Sequence, residues 1–306
     1  MRNAFAKEMH EKMSEDSRLF LLYGDIGNNL FNSIKNDFPD RIENAGIAEA
    51  SMVGIAAGLS QAGYIPVCYT INSFLYLKAV EQIKLDLAYP SRRVVLVGTG
   101  GGLAYASLGT SHHSLEDYAV LGSIPNLGLY SPADNAELRV CLDQALAASS
   151  PSYLRIGKKG ESELVDSVTH SAAKQEIMRP VSTVPSSKLA VVTVGTIGGE
   201  LAREFAQTKE KIAFDHYSLF RIRPWEPESV TKLLNDYEKI LVIEDHYALS
   251  GVASLLLAAF SDTASPRVYS ASMPLEFFTG LGGKAQIRES SGLGMKTLLG
   301  RIKDLS

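Results

Sequence analysis

Short apolar runs alternate with helix-length stretches along the chain, and no other feature limits the possible folds as much. LFLLYG (19–24) reads as a strand and Ala48–Gln61 as a helix, then YIPVCYT (64–70) as a strand and Ser73–Ala88 as a helix. RRVVLVG (92–98), Pro125–Tyr130 and SYLRIG (152–157) continue the strands, with a helix over Asn135–Ala148. Strands joined through helices pair in parallel, because a hairpin turn cannot contain a helix. From about Gly160 to Ser187 the pattern lapses into polar, Ser- and Thr-bearing sequence with room for a strand. KLAVVTVG (188–195), a helix from Gly198, KIAFDHYS, KILVIEDH (239–246), a helix from Gly251 and RVYSA then repeat the alternation. The expected fold is α/β, two doubly wound domains with mostly parallel sheets. The first spans 1–160, a linker 161–187, and the second 188–306.

The 306 residues carry a net charge of −4 with no basic stripe, which argues against a nucleic-acid partner. The two cysteines, Cys68 and Cys141, sit in separate apolar segments without metal-ligand spacing, and read as buried thiols in a reducing compartment. The N-terminal stretch MRNAFAKEMHEKMSEDSRLF is patterned as an amphipathic helix and lacks the apolar core of a signal peptide. A cytoplasmic protein is the expectation.

In AGIAEASMVGIAAG (45–58) the one charged residue is Glu49, surrounded by alanine, glycine and apolar side chains. Such a carboxylate is either a solvated first-turn residue favoured by the helix dipole or a buried group that must be paired or used. GTGGGL (98–103) has the wrong spacing for a dinucleotide loop, so its glycines suit a tight turn or a close approach to a ligand. His112 and His113 lie between small residues. His112 and Glu116 have the spacing of two metal ligands on a helix, but no third stands at a telling distance, and a capping or a catalytic imidazole both remain open. Asp25, Asn28 and Asn29 follow the first strand, where they form an Asx-rich turn or contact a ligand at the sheet edge. Glu244, Asp245 and His246 end a later strand and read as turn or interface residues.

Taken together, RIENAGIAEASMVGIAAGLSQAG (41–63), YGDIGNN (23–29), AVEQIKLDLAY (79–89), LGTSHHSLEDYAVLGSIPNL (108–127), SPADNAEL (131–138) and IEDH…SG resemble the C-terminal half of transketolase. That half is a pyrimidine-binding domain followed by a C-terminal domain, and the resemblance covers nearly the whole chain. It implies that Glu49 hydrogen-bonds N1′ of the aminopyrimidine of thiamine diphosphate, so that the cofactor's 4′-amino group can take the proton from its thiazolium C2. It implies that His112 lies near the reacting carbon, binding substrate and moving protons, and that Asp25 faces the cofactor. Phe74–Leu75–Tyr76 should supply the ring stacked on the aminopyrimidine, with Leu75 at the aligned position between two aromatics. Asn28 and Lys158 are implied in substrate binding, Lys158 standing where relatives place an arginine for a substrate phosphate.

The departures narrow the substrate. Leu108 replaces an aspartate that contacts a sugar hydroxyl in relatives, and Gly100 replaces a histidine near the substrate, so a less hydroxylated or modified substrate is expected. The GDG…N motif that holds the diphosphate and Mg²⁺ is missing from the chain. The resemblance therefore implies a split enzyme that transfers a two-carbon ketol unit, with a separate diphosphate-binding subunit in an α₂β₂ heterotetramer. The alternatives are the β subunit of a 2-oxo acid dehydrogenase E1 component, a 1-deoxyxylulose-phosphate-synthase-like condensing enzyme, and a non-catalytic regulatory subunit that kept the fold.

Overall fold

The computed structural model describes residues 1–27, 29–164, 176–208, 212–259, 267–279 and 282–306. Twelve strands form two sheets among these residues. The first sheet contains β1 (Leu19–Tyr23), β2 (Ile42–Asn44), β3 (Ile65–Ile71), β4 (Val95–Thr99), β5 (Gly128–Tyr130) and β6 (Ser152–Ile156). The second contains β7 (Met178–Ser182), β8 (Leu189–Val194), β9 (Asp215–Leu219), β11 (Lys239–Tyr247) and β12 (Arg267–Met273). The remaining strand, β10 (Arg221–Arg223), comes from the second half of the chain but joins the first sheet.

The first sheet runs β10-β5-β6-β4-β3-β1-β2, and all its pairs are parallel except β10 with β5. Its central strands are apolar on both faces because helices cover both. In β3, Cys68 faces the core built with Met52, Val53 and Ala56 of the Glu49–Gln61 helix, while Val67 and Tyr69 face Phe5, Leu138 and Cys141. The second sheet runs β12-β11-β8-β9-β7, parallel except for β7 with β9. β7 is the strand for which the polar stretch 161–187 left room.

Two features depart from the sequence reading. Ser73–Ala88 is not one helix: it divides into Asn72–Lys78, Val80–Gln82 and a π-helical turn, Ile83–Ala88. A π turn inserts a residue into the helical register, and here Ile83, Leu87 and Ala88 are all brought into the core. The other is β10, which places Arg221 beside Tyr130 and Arg223 beside Leu129, covering a sheet edge that would otherwise stay open.

A buried ionic network also joins the halves. From β6, the Arg155 guanidinium donates to Asp117 at 3.2 Å and to the backbone carbonyl of Asp245 at 2.8 Å. Arg288 donates from Nε to the Asp245 carboxylate at 2.7 Å and also pairs with Glu200. The glycines before this joint are required: a Cβ on Gly101 would overlap Arg155 Nε, and one on Gly102 would lie 2.7 Å from Asp245 Cβ. No helix among the described residues is long and apolar enough to cross a membrane.

Candidate active site

The C-terminal ends of β1, β3, β4 and β6 open on one edge of the first sheet, where parallel α/β folds place their ligands. Glu49 is the first residue of its helix and is only 4% exposed. Ala48 at the N-cap gives no side-chain cap, so the dipole and the free N–H groups of the first turn favour a carboxylate there. Glu49 Oε1 accepts a hydrogen bond from Thr70 Oγ1 at 3.4 Å, and Oε2 lies 3.1 Å from Lys78 Nζ. Gly24, at the end of β1, keeps this corner narrow: a Cβ on it would lie 2.7 Å from Thr70 Oγ1.

A continuous row of side chains leads away from Glu49. The Lys78 ammonium lies 4.4 Å from the centroid of the Phe74 ring, four residues earlier on the same helix. The Phe74 and His112 rings meet edge-on with centroids 5.1 Å apart, and His112 meets Tyr105 at 6.1 Å. Tyr105 in turn carries the Lys158 ammonium over its ring at 4.7 Å.

His112 ends the short 3₁₀ turn Thr110–His112. Its Nδ1 is 3.0 Å from Ser111 Oγ, and its Nε2 has no partner among the described residues. Burial, with a smaller contribution from neighbouring His113, lowers its pKa below the usual histidine value and favours the neutral imidazole. Glu116 is not paired with it on a helix. The next helix begins only at Asp117, and Glu116 Oε2 accepts from the Leu115 N–H at 3.0 Å.

The sequence-derived candidates divide accordingly. Glu49, Phe74, His112 and Lys158 come together in the row. Asp25 sits at its margin, where its N–H donates to Gly46 at 3.0 Å and its carboxylate accepts from Asn44 at 3.2 Å. Leu75 and Tyr76 do not belong to it. Both are fully buried in the core, because helical geometry turns successive residues by about 100° and sends only Phe74 and Lys78 to this face. Asn28 lies outside the described residues. Leu108 is 54% exposed on the turn that precedes His112. Two lining residues were missed. Lys78 was legible in its four-residue spacing from Phe74, whereas Tyr105 carries no sequence signal that separates it from a core tyrosine.

The corner fits an aminopyrimidine. A buried carboxylate whose outer oxygen is met only by a half-exposed lysine can accept a hydrogen bond from a ring nitrogen once that lysine moves aside. The partly exposed Phe74 ring beside it offers a stacking surface. No group of three or more His, Cys, Asp or Glu side chains among the described residues is placed to hold a metal ion.

Fold and site together define an α/β protein with a buried carboxylate beside an aromatic ring at a sheet edge. Residues 1–160 match the family described as the transketolase pyrimidine-binding domain, and the chain belongs to that family. It is 30% identical to one of the subunits of the apulose-4-phosphate transketolase of Actinobacillus succinogenes, over 75% of this chain and 73% of that one. Over 83% of this chain and 78% of the other, it is 25% identical to the SqwH subunit of the 6-deoxy-6-sulfo-D-fructose transketolase of Clostridium sp. (strain MSTE9). A solved structure described as a split gene transketolase, inactive beta4 tetramer, superposes with a TM-score of 0.83 at 24% identity, covering 99% of this chain and 96% of that one. At that identity the likeness speaks for the fold alone.

Proposed function

We propose that this chain is the pyrimidine-binding subunit of a split, thiamine diphosphate-dependent transketolase. In this reading it moves a two-carbon ketol unit from a ketose to an aldehyde when paired with a diphosphate-binding subunit. The observation that carries it is the buried Glu49 carboxylate, held by a displaceable Lys78 beside the Phe74 ring. Relatives named as transketolase subunits match over most of their own length, which supports a two-chain enzyme.

When bound, thiamine diphosphate would supply the carbon nucleophile for the ketose carbonyl and the electron sink for cleavage of the adjacent C–C bond. Glu49 would hold the proton at the pyrimidine nitrogen, and Phe74 would offer its ring as the stacking surface. His112, neutral and with Nε2 free, hydrogen-bonds the substrate oxygen at the reacting carbon and relays its proton. Lys158 receives an anionic end of the substrate, and Asp25 borders the cofactor. Mg²⁺ and the diphosphate fall to the partner, in an α₂β₂ assembly. Leu108 presents an apolar, exposed side chain to the substrate, which favours a sugar lacking a hydroxyl at that point.

Calorimetric titration with thiamine diphosphate and Mg²⁺, on the chain alone and with the candidate partner, tests this. Binding only in the mixture is expected. Tight binding by the chain alone would refute the shared site, and no binding in either would refute the cofactor assignment.

A further inference from the structure

We infer that Tyr105 is a substrate-contacting, specificity-determining residue of this site, and that its hydroxyl donates to an oxygen in the middle of an anionic sugar substrate. The inference rests on the function proposed above and names a contact that reading leaves open. Gly100 and Tyr105 share one space. A Cβ on Gly100 would overlap both Cε2 and Cδ2 of the tyrosine ring, so the ring fills the place a side chain at position 100 would take. The backbone there is fixed, because the Gly100 N–H donates to the Ile156 carbonyl at 2.9 Å and its φ of +88° suits glycine. Tyr105 is therefore seated against a wall that cannot move toward it.

Its surroundings point to a ligand. Tyr105 is 8% exposed, and its hydroxyl makes no hydrogen bond to any described residue, so the ring is held while its polar end stays free for a ligand. Two groups meet its ring, His112 with centroids 6.1 Å apart and the Lys158 ammonium 4.7 Å from the centroid, and that ammonium forms no ion pair with a described carboxylate. A ligand with its reacting carbonyl at His112 and its anionic terminus at Lys158 has its middle within reach of Tyr105, the residue that touches both. The chemistry is that of a hydroxylated carbon chain ending in a phosphate or a comparable anion.

The test uses the assembled two-subunit enzyme, titrated calorimetrically with D-ribose 5-phosphate and with D-ribose. Tyr105→Phe keeps the ring against Gly100 and removes only the hydroxyl, so its melting temperature should match the wild type. We expect it to weaken D-ribose 5-phosphate binding about tenfold, the usual effect of one lost hydrogen bond. Lys158→Met should abolish the preference for the phosphate over the free sugar. Equal affinities of Tyr105→Phe and wild type for D-ribose 5-phosphate, or no binding by the wild type, overturn the inference. Thiamine diphosphate binding by the same assembly separates the two readings: if it is present, only the Tyr105 assignment has failed, and if absent, the function itself has.

Discussion

Lys78 Nζ lies 3.1 Å from Glu49 Oε2, a lysine 48% exposed reaching a carboxylate that is 4% exposed. The pair ties two helices together: Glu49 opens the helix behind the site, and Lys78 ends the helix that carries Phe74. A buried acid is tolerable here because its counter-charge arrives from solvent and can return to it.

Glu49→Gln removes the carboxylate but keeps the shape of the side chain. Turnover of the assembled enzyme should fall at least about a hundredfold, the usual scale for loss of a positioned proton-holding group. Steady-state rates on a ketose donor and an aldehyde acceptor measure it. Activity within a few-fold of wild type would remove Glu49 from the chemistry.

Lys78→Met keeps the aliphatic stem over Phe74 and deletes the ammonium. The free chain should lose on the order of 1 kcal/mol, since half of the pair is solvated, and its melting temperature should fall by about 2 °C. Differential scanning calorimetry of the chain without cofactor decides this. An unchanged or raised melting temperature would mean that the pair contributes nothing.

Arg155→Met strikes the joint between the two sheets. Asp117, fully buried, would keep its bonds from Asn72 and Tyr153 but lose its cation, and the Asp245 carbonyl would lose a donor. The expected loss is about 3 kcal/mol or more, as for a broken buried pair. It reads out as a lower urea midpoint, and a midpoint equal to wild type would contradict the network's structural role.

Acid should act on folding through His246. Burial lowers its pKa to about 4, and it stacks on Tyr118 with centroids 4.9 Å apart, its Nε2 3.9 Å from Asp117. An unfolded histidine titrates near about 6.5. Between those values the unfolded chain binds more protons, so the stability this residue contributes is complete above about 6.5 and is lost as pH falls toward 4. Glu244, pushed up to about 7 by burial, acts in the opposite sense, stabilising the fold as pH falls through that value. The informative quantity is therefore a difference: His246→Phe, which keeps the stacking, should lose less stability than wild type between about pH 6.5 and pH 4. Parallel pH slopes of the urea midpoint would exclude His246 as the source.

The sequence by itself determined the strand and helix alternation and both mostly parallel sheets, and it singled out Glu49 while leaving open whether that carboxylate is solvated or buried. These follow from local apolar periodicity and from a lone charge among small residues, and both are visible without any knowledge of neighbours. Tertiary structure decided which of Phe74, Leu75 and Tyr76 faces the site, because packing of Leu75 and Tyr76 into the core fixes the rotation of their helix. It also decided that β10 closes the other domain's sheet edge, and that Tyr105 fills the space beside Gly100 with the Lys158 ammonium 4.7 Å from its ring. Such contacts join residues distant along the chain, and no local pattern encodes them, since they depend on how the strands are ordered in space.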